Sequence, residues 1–211
     1  MFVHSSSCRD LPDTEEPNEY VKTCQIEFGF GFDSGKTLMS RLHERLLGTS
    51  VGTQGASTDA LDCCRQVQLL PTVSRALLGQ LRGTGHWRGG LLFGSVVGET
   101  LQIRFAAPSS FALYEAPRSP LTFDTRYALG WIDGLSAACD FPVDWVGSWV
   151  SQADHRQAGL MEALSWMRAP YDGLFDDSRV LLCVGQHGKR LSSSAYRWSW
   201  TAELEQLEVL S

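Results

Sequence analysis

The 211-residue chain lacks any apolar run long enough to cross hydrocarbon, which excludes a spanning helix. It lacks a glycine period, which excludes a collagen-like rod. Positive charge is in deficit: 18 Lys and Arg stand against 24 Asp and Glu, for a net charge of -6. A binder of nucleic-acid backbone needs a basic footprint, so direct nucleic-acid binding is not expected. The N-terminus, MFVHSSSCRDLPDTEEP, has no basic region followed by an apolar stretch, and no secretory signal is expected there. No histidine pair has a short ligand spacing, and the adjacent Cys63 and Cys64 have no CxxC partner.

What is present fits a folded domain. Hydrophobic residues are 43% of the chain and charged residues 20%, enough to close one core with extensions. The six cysteines, with no export signal, read as free thiols in a reducing, intracellular compartment, cytoplasmic or nuclear. Seven tryptophans are many for this length, and tryptophan serves both cores and interface centres.

Periodicity divides the chain. Residues 1–20 are polar and acidic and read as a flexible tail. Residues 21–65 read as a strand-helix extension followed by a loop, with the strand over 21–32, the helix over 37–47 and the Gly/Ser/Thr-rich loop after it. From residue 66 onward a single domain is expected. Pro71 opens a helix carrying Val73, Leu77, Leu78 and Leu81, and strands over 90–97 and 100–108 flank a tight turn at Gly98-Glu99. A helix over 124–139 aligns Tyr127, Trp131, Leu135 and Ala138. The run FPVDWVGSWVS reads as a strand with Val143, Trp145, Gly147 and Trp149 on one side and Val146 and Val150 on the other. A helix over 157–168 and an apolar strand over 179–185 follow, then a strand in LSSSAYRWSW and a helix in TAELEQLEVL capped by Thr201. The expected fold is α/β (α+β): a mixed central sheet flanked by helices.

Three chemistries can be weighed. Residues 29–37, GFGFDSGKT, sit between a strand and a helix as a phosphate loop would. The G-x-x-x-x-G-K-[ST] pattern, however, needs glycine where Phe30 stands. A metal-dependent hydrolase would draw on His86, Asp154 and His155, but three ligands and an open position are not assembled by the spacing. For nucleophilic catalysis, Ser148 and Ser151 lack a G-x-S-x-G elbow, and Cys183 lies mid-strand as an inert thiol.

Three strings resemble a known family. Gly89-Gly90-Leu91-Leu92-Phe93-Gly94 is similar to the glycine-rich first strand of the JAB/MPN domain. The segment Val146-Gly147-Ser148-Trp149-Val150-Ser151-Gln152-Ala153 resembles its V-G-W-Y-H-S-H-P segment, and Arg179–Val184 resembles its following apolar strand. The resemblance implies an MPN-like, cytidine-deaminase-like layout over 66–211. It places Val150 and Gln152 where the family has zinc-binding histidines, Ser151 between them, and Trp87 near the water-activating glutamate. Valine has no ligand atom, so the resemblance implies a degenerate metal site, no metal and no cofactor. It further implies a noncatalytic scaffold subunit in a hetero-oligomeric complex or homodimer. A divergent isopeptidase and a nucleotide binder are the alternatives. Trp198 and Trp200 share a strand face and are the expected partner surface.

Overall fold

The computed structural model describes residues 42, 43, 46, 63–82, 88–108, 121, 123–162, 165, 179–198 and 204–211. All of them fall in one compact unit, Thr37–Ser211. The expected tail over 1–20, the strand over 21–32 and the loop over 29–37 lie outside the described residues, as do His86, Trp87 and Trp200.

The element order is β1 (Gln66–Leu69), α1 (Pro71–Leu81), β2 (Arg88–Val97), β3 (Thr100–Pro108), α2 (Thr125–Ala138), β4 (Asp144–Ser151), β5 (Val180–His187), β6 (Arg190–Trp198) and β7 (Leu204–Leu210). The seven strands form a closed barrel in the order β1-β3-β2-β4-β5-β6-β7. β1 closes the ring by pairing in parallel with β3 on one side and β7 on the other. Closure leaves the barrel no free edge to template pairing with other chains.

This overturns the expected sheet flanked by helices and, with it, the JAB/MPN resemblance, its cytidine-deaminase-like layout and the scaffold or isopeptidase roles drawn from it. The two strands that close the ring are the two that the sequence concealed. β1 is four residues, too short to display a period. β7 was expected as a capped helix. It is a strand because its backbone satisfies the open sides of both β6 and β1, while Leu207 turns inward among the buried residues. Such pairing outweighs a local preference worth a few tenths of a kcal/mol per residue, at roughly the scale of helix propensities.

Three apolar clusters organise the packing. The first fills the barrel. Val73, Leu77 and Leu81 of α1 meet Leu92, Ile103, Leu182 and Leu207 from strands around the ring. α1 touches β3 on one side of the ring and the neighbouring strands β5 and β6 on the other, so the helix spans the interior. Pro71 at its start supplies a fixed φ and no N–H where none is needed. Each buried Leu or Val there contributes roughly 1.5–3 kcal/mol.

The second cluster lies on the outer face of β2, β3 and β4. Leu91, Phe93, Ala107 and Trp145 are covered by Ala128, Ile132 and Leu135 of α2 and by Leu42. Leu42, His43 and Leu46 are helical, within the helix expected over 37–47. The third cluster, Val150, Leu181, Cys183 and Tyr196, lies under Ala158.

A bulge separates the first two clusters along β4. Leu92 faces Gly147 and Phe93 faces Trp145, so Val146 is the extra residue. The expected alignment of Trp145 with Trp149 therefore fails: Trp145 packs outward against α2 and Trp149 packs in the barrel. Trp149 stands opposite Gly90, and its Nε1 donates to the Ala107 carbonyl at 2.8 Å. A Cβ on Gly90 would sit 1.8 Å from that carbonyl oxygen and 2.6 Å from Nε1, so glycine is required for the indole to pass.

Candidate functional site

α2 begins where Asp124 accepts hydrogen bonds from Arg126 N at 2.9 Å and Tyr127 N at 3.0 Å, an N-cap that satisfies two otherwise unpaired donors. The buried stripe is Ala128, Ile132 and Leu135. The sequence pattern instead aligned Tyr127, Trp131, Leu135 and Ala138 as one apolar face. The helix is rotated relative to that expectation, and Tyr127 and Trp131 are half-buried on its flank.

The rotation creates a groove. Among the described residues it is lined by Arg126, Tyr127, Gly130, Trp131, Gly134 and Leu135, and its volume is about 490 Å³. That lies within the range of roughly 300–1,000 Å³ common for binding clefts. Trp131 stacks on Phe93 with centroids 6.4 Å apart and an interplanar angle of 13°. Tyr127 meets Trp131 edge-on at 6.4 Å and 72°. Both arrangements suit the ring quadrupoles and fix the groove wall.

Gly130 and Gly134 form the notch between these rings and solvent. Among the described residues, a Cβ at either would meet nothing within 4 Å. Glycine inside a helix costs roughly 1 kcal/mol relative to alanine. Unlike Gly90, neither is required by neighbours among the described residues. On the opposite flank, His43 Nε2 and Asp133 Oδ1 pair at 2.8 Å, so the helical segment that holds His43 meets α2 there. The face can receive an apolar side chain or a closely approaching backbone. Arg126 supplies its one cation among the described lining residues.

A second polar region follows β4. Val150 is buried on the outer face with Cys183 and Leu181. Ser151 is buried at the end of β4, and its Oγ has no hydrogen-bond partner among the described residues. Gln152 Nε2 donates to both carboxylate oxygens of Glu162, which also accepts from Gly159 N at 2.9 Å. Burial chiefly, and then the Glu162 charge, push the Cys183 thiol up to about 12, which keeps it protonated and unreactive at neutral pH.

Asp154 and His155 lie in the turn after β4. A hydrogen bond from the Arg156 side chain holds the Asp154 carboxyl below its ordinary value. His155 has a left-handed backbone, φ 64°, and its Nδ1 is buried without a partner among the described residues. Its main chain donates to Gln152 O at 3.0 Å and accepts from Gln186 N at 2.8 Å. Among the described residues no group of three or more His, Cys, Asp or Glu could hold a metal ion. Val150 and Gln152 are thus a core residue and a carboxylate partner. Trp198 is the last residue of β6, and Trp200 lies beyond the described strand.

The sequence reading missed Gly130 and Gly134. The signal was present: two glycines four apart inside a helical pattern, flanked by aromatics at the same spacing.

No family model matches this chain, and no curated protein matches it. Its fold is similar to the solution structure of protein DSY2949 from Desulfitobacterium hafniense, with a TM-score of 0.50 and 16% sequence identity over 68% of this chain and 91% of that one. At that identity the likeness is one of fold alone. Among the described residues no helix is long and apolar enough to cross a membrane.

Proposed function

We propose that this chain is a protein-recognition domain in which the barrel is a rigid support and the notched face of α2 receives an apolar, helix-forming segment of another chain. The observation that carries the reading is the pair of exposed glycines, Gly130 and Gly134, that alternate with Tyr127 and Trp131 along one helix flank, with no described side chain above them. Two helix-weakening residues on a half-apolar face are compensated when a partner packs close to the backbone. Helix-in-groove docking uses such anchors at i, i+3, i+4 and i+7. The aromatic residues supply buried area at low entropic cost.

The same reading places the domain in an intracellular, reducing compartment, cytoplasmic or nuclear. Cys63, Cys139 and Cys183 stand in no disulfide among the described residues, and such thiols persist best where disulfides are rare.

Site-directed photocrosslinking tests the docking face. A photoreactive residue at Arg126, on the groove rim, should yield a defined adduct in the native cell. The same probe at Glu99, on the β2–β3 turn, should not. Adding Gly130→Leu to the Arg126 probe should abolish the adduct. Equal adducts from both positions, or an adduct that survives Gly130→Leu, would reject the α2 face as the recognition surface.

A further inference from the structure

We infer that the end of the barrel where β2 begins and β3, β4 and β5 finish binds a small oxyanion, held between Arg88 and Ser151. The inference goes beyond the recognition reading and does not depend on it. α2 covers the outer face of β2 and β4, whereas these two side chains share the inner one.

Their placement follows from the strand register. Arg88 stands directly opposite Ser151 in the β2–β4 ladder. Such cross-strand partners have Cβ atoms roughly 4.5–5.5 Å apart and point to the same face. Trp149 packs in the barrel, and its indole passes over Gly90. Ser151 lies two residues after the first and Arg88 two before the second, so alternation puts both on the inner side.

The polar groups at this end are unmet. Ser151 is fully buried, and its Oγ has no hydrogen-bond partner among the described residues. The same holds for the buried Nε of half-buried Arg88. Arg104, Arg179 and Arg197 also bury an unpaired Nε, but their guanidiniums are engaged by Gln102, the Trp145 ring and Glu205 respectively. Arg88 makes no such contact among the described residues. The carboxylates that follow β4 are occupied, Asp154 by Arg156 and Glu162 by Gln152 and Gly159.

Two further buried atoms without a described partner belong to this end: His155 Nδ1, in the turn after β4, and Gln80 Oε1 on α1. The Gln80 amide donates to the Ala106 carbonyl near the end of β3 at 3.2 Å. Buried polar atoms left unpaired are costly, and a cation most of all. An oxyanion accepts from the guanidinium and the hydroxyl together and brings the charge that Arg88 requires. Gln80 Oε1, an acceptor, suits a donor carried on the same ligand.

Nuclear magnetic resonance of the isotope-labelled full chain tests this. The chain is titrated with acetate and, separately, with inorganic phosphate, at an ionic strength held constant with chloride. The Arg88 Nε–H resonance should shift saturably with at least one anion, and the unfolding midpoint should rise with the same anion. A response to acetate alone supports a carboxylate ligand, and a response to phosphate alone supports a phosphate. Ser151→Ala should weaken that binding about tenfold or more. Its anion-free midpoint should stay at or above that of the wild type, because an unpaired buried hydroxyl is removed. Arg88→Gln should abolish the midpoint shift. An Arg88 resonance indifferent to both anions overturns the site, as does a Ser151→Ala protein that binds as tightly as the wild type. A Ser151→Ala midpoint well below that of the wild type also overturns it, since the hydroxyl would then be bonded within the chain.

Discussion

Trp149 Nε1 donates to the carbonyl oxygen of Ala107 at 2.8 Å, so a side chain of β4 bonds the backbone of β3 across the full width of β2. The contact ties three neighbouring strands together with one buried donor. It depends on the bare backbone of Gly90 beneath the indole.

Gly90→Ala should therefore be disproportionately destabilising. The new methyl meets a backbone oxygen, which cannot swing aside as a flexible side chain can. Overpacking of a tight core costs roughly 1–3 kcal/mol, and displacing the indole adds the loss of its hydrogen bond, about 1 kcal/mol. Denaturant unfolding followed by tryptophan fluorescence reads both effects. A midpoint unchanged from wild type would show that the strands separate freely at this point.

Cys183 should couple stability to alkaline pH. Its folded value is raised from 9.0 to about 12, so above pH 9 the unfolded chain gives up the proton while the folded chain keeps it. The folded state is thus favoured fully below pH 9 and loses this contribution progressively as pH rises toward 12. The slope approaches about 1.4 kcal/mol per pH unit at most. The difference in unfolding free energy between wild type and Cys183→Ala, measured from neutral to alkaline pH, should change with that sign. A difference independent of pH would contradict the burial. In the folded protein, alkylation should reach exposed Cys63 well before Cys183.

Gln152→Leu should loosen the segment after β4. The carboxylate of Glu162 would lose the amide donor and keep Gly159 N. A hydrogen bond to a charged group is worth roughly 1.5–3 kcal/mol when shielded, and this half-exposed one should fall near the lower end. Hydrogen exchange should quicken at Gly159 and in the helical residues beside it. Unaltered exchange there would mean that the Gln152 amide does not fasten the segment.

Much of the local structure was legible in the sequence. The β2–β3 hairpin turns at Gly98-Glu99 as expected, with Val97 paired to Thr100. The start of α1 at Pro71 follows from local chemistry, as does the apolar run of β5. What was not legible depends on partners distant in the chain. β1 and β7 acquire their identity from each other, Gln66 beside Glu208, and neither has a pattern strong enough alone. The Val146 bulge changes which way Trp145 and Trp149 point, and no feature of a two-residue period announces an inserted residue. The α2 flank was misread for a related reason. Trp131 and Tyr127 looked like core because they are apolar, whereas Ala128 and Ile132, smaller and less conspicuous, fit against Phe93 and Leu91. The family resemblance failed at the same level: short strings match, while ring closure is set by pairing across the whole domain.

The parallel seam between β1 and β7 also sets the order in which the molecule can be completed. Gln66 and Glu208 are 142 positions apart, so during synthesis the earliest barrel strand waits for the latest. Until Leu204–Leu210 leaves the ribosome, β1 and β6 each present an unpaired side to the cell. Closure over such a separation is intrinsically slow, and an open ring invites mispairing with other nascent chains. Chaperone demand should accordingly concentrate in the interval just before the last strand emerges.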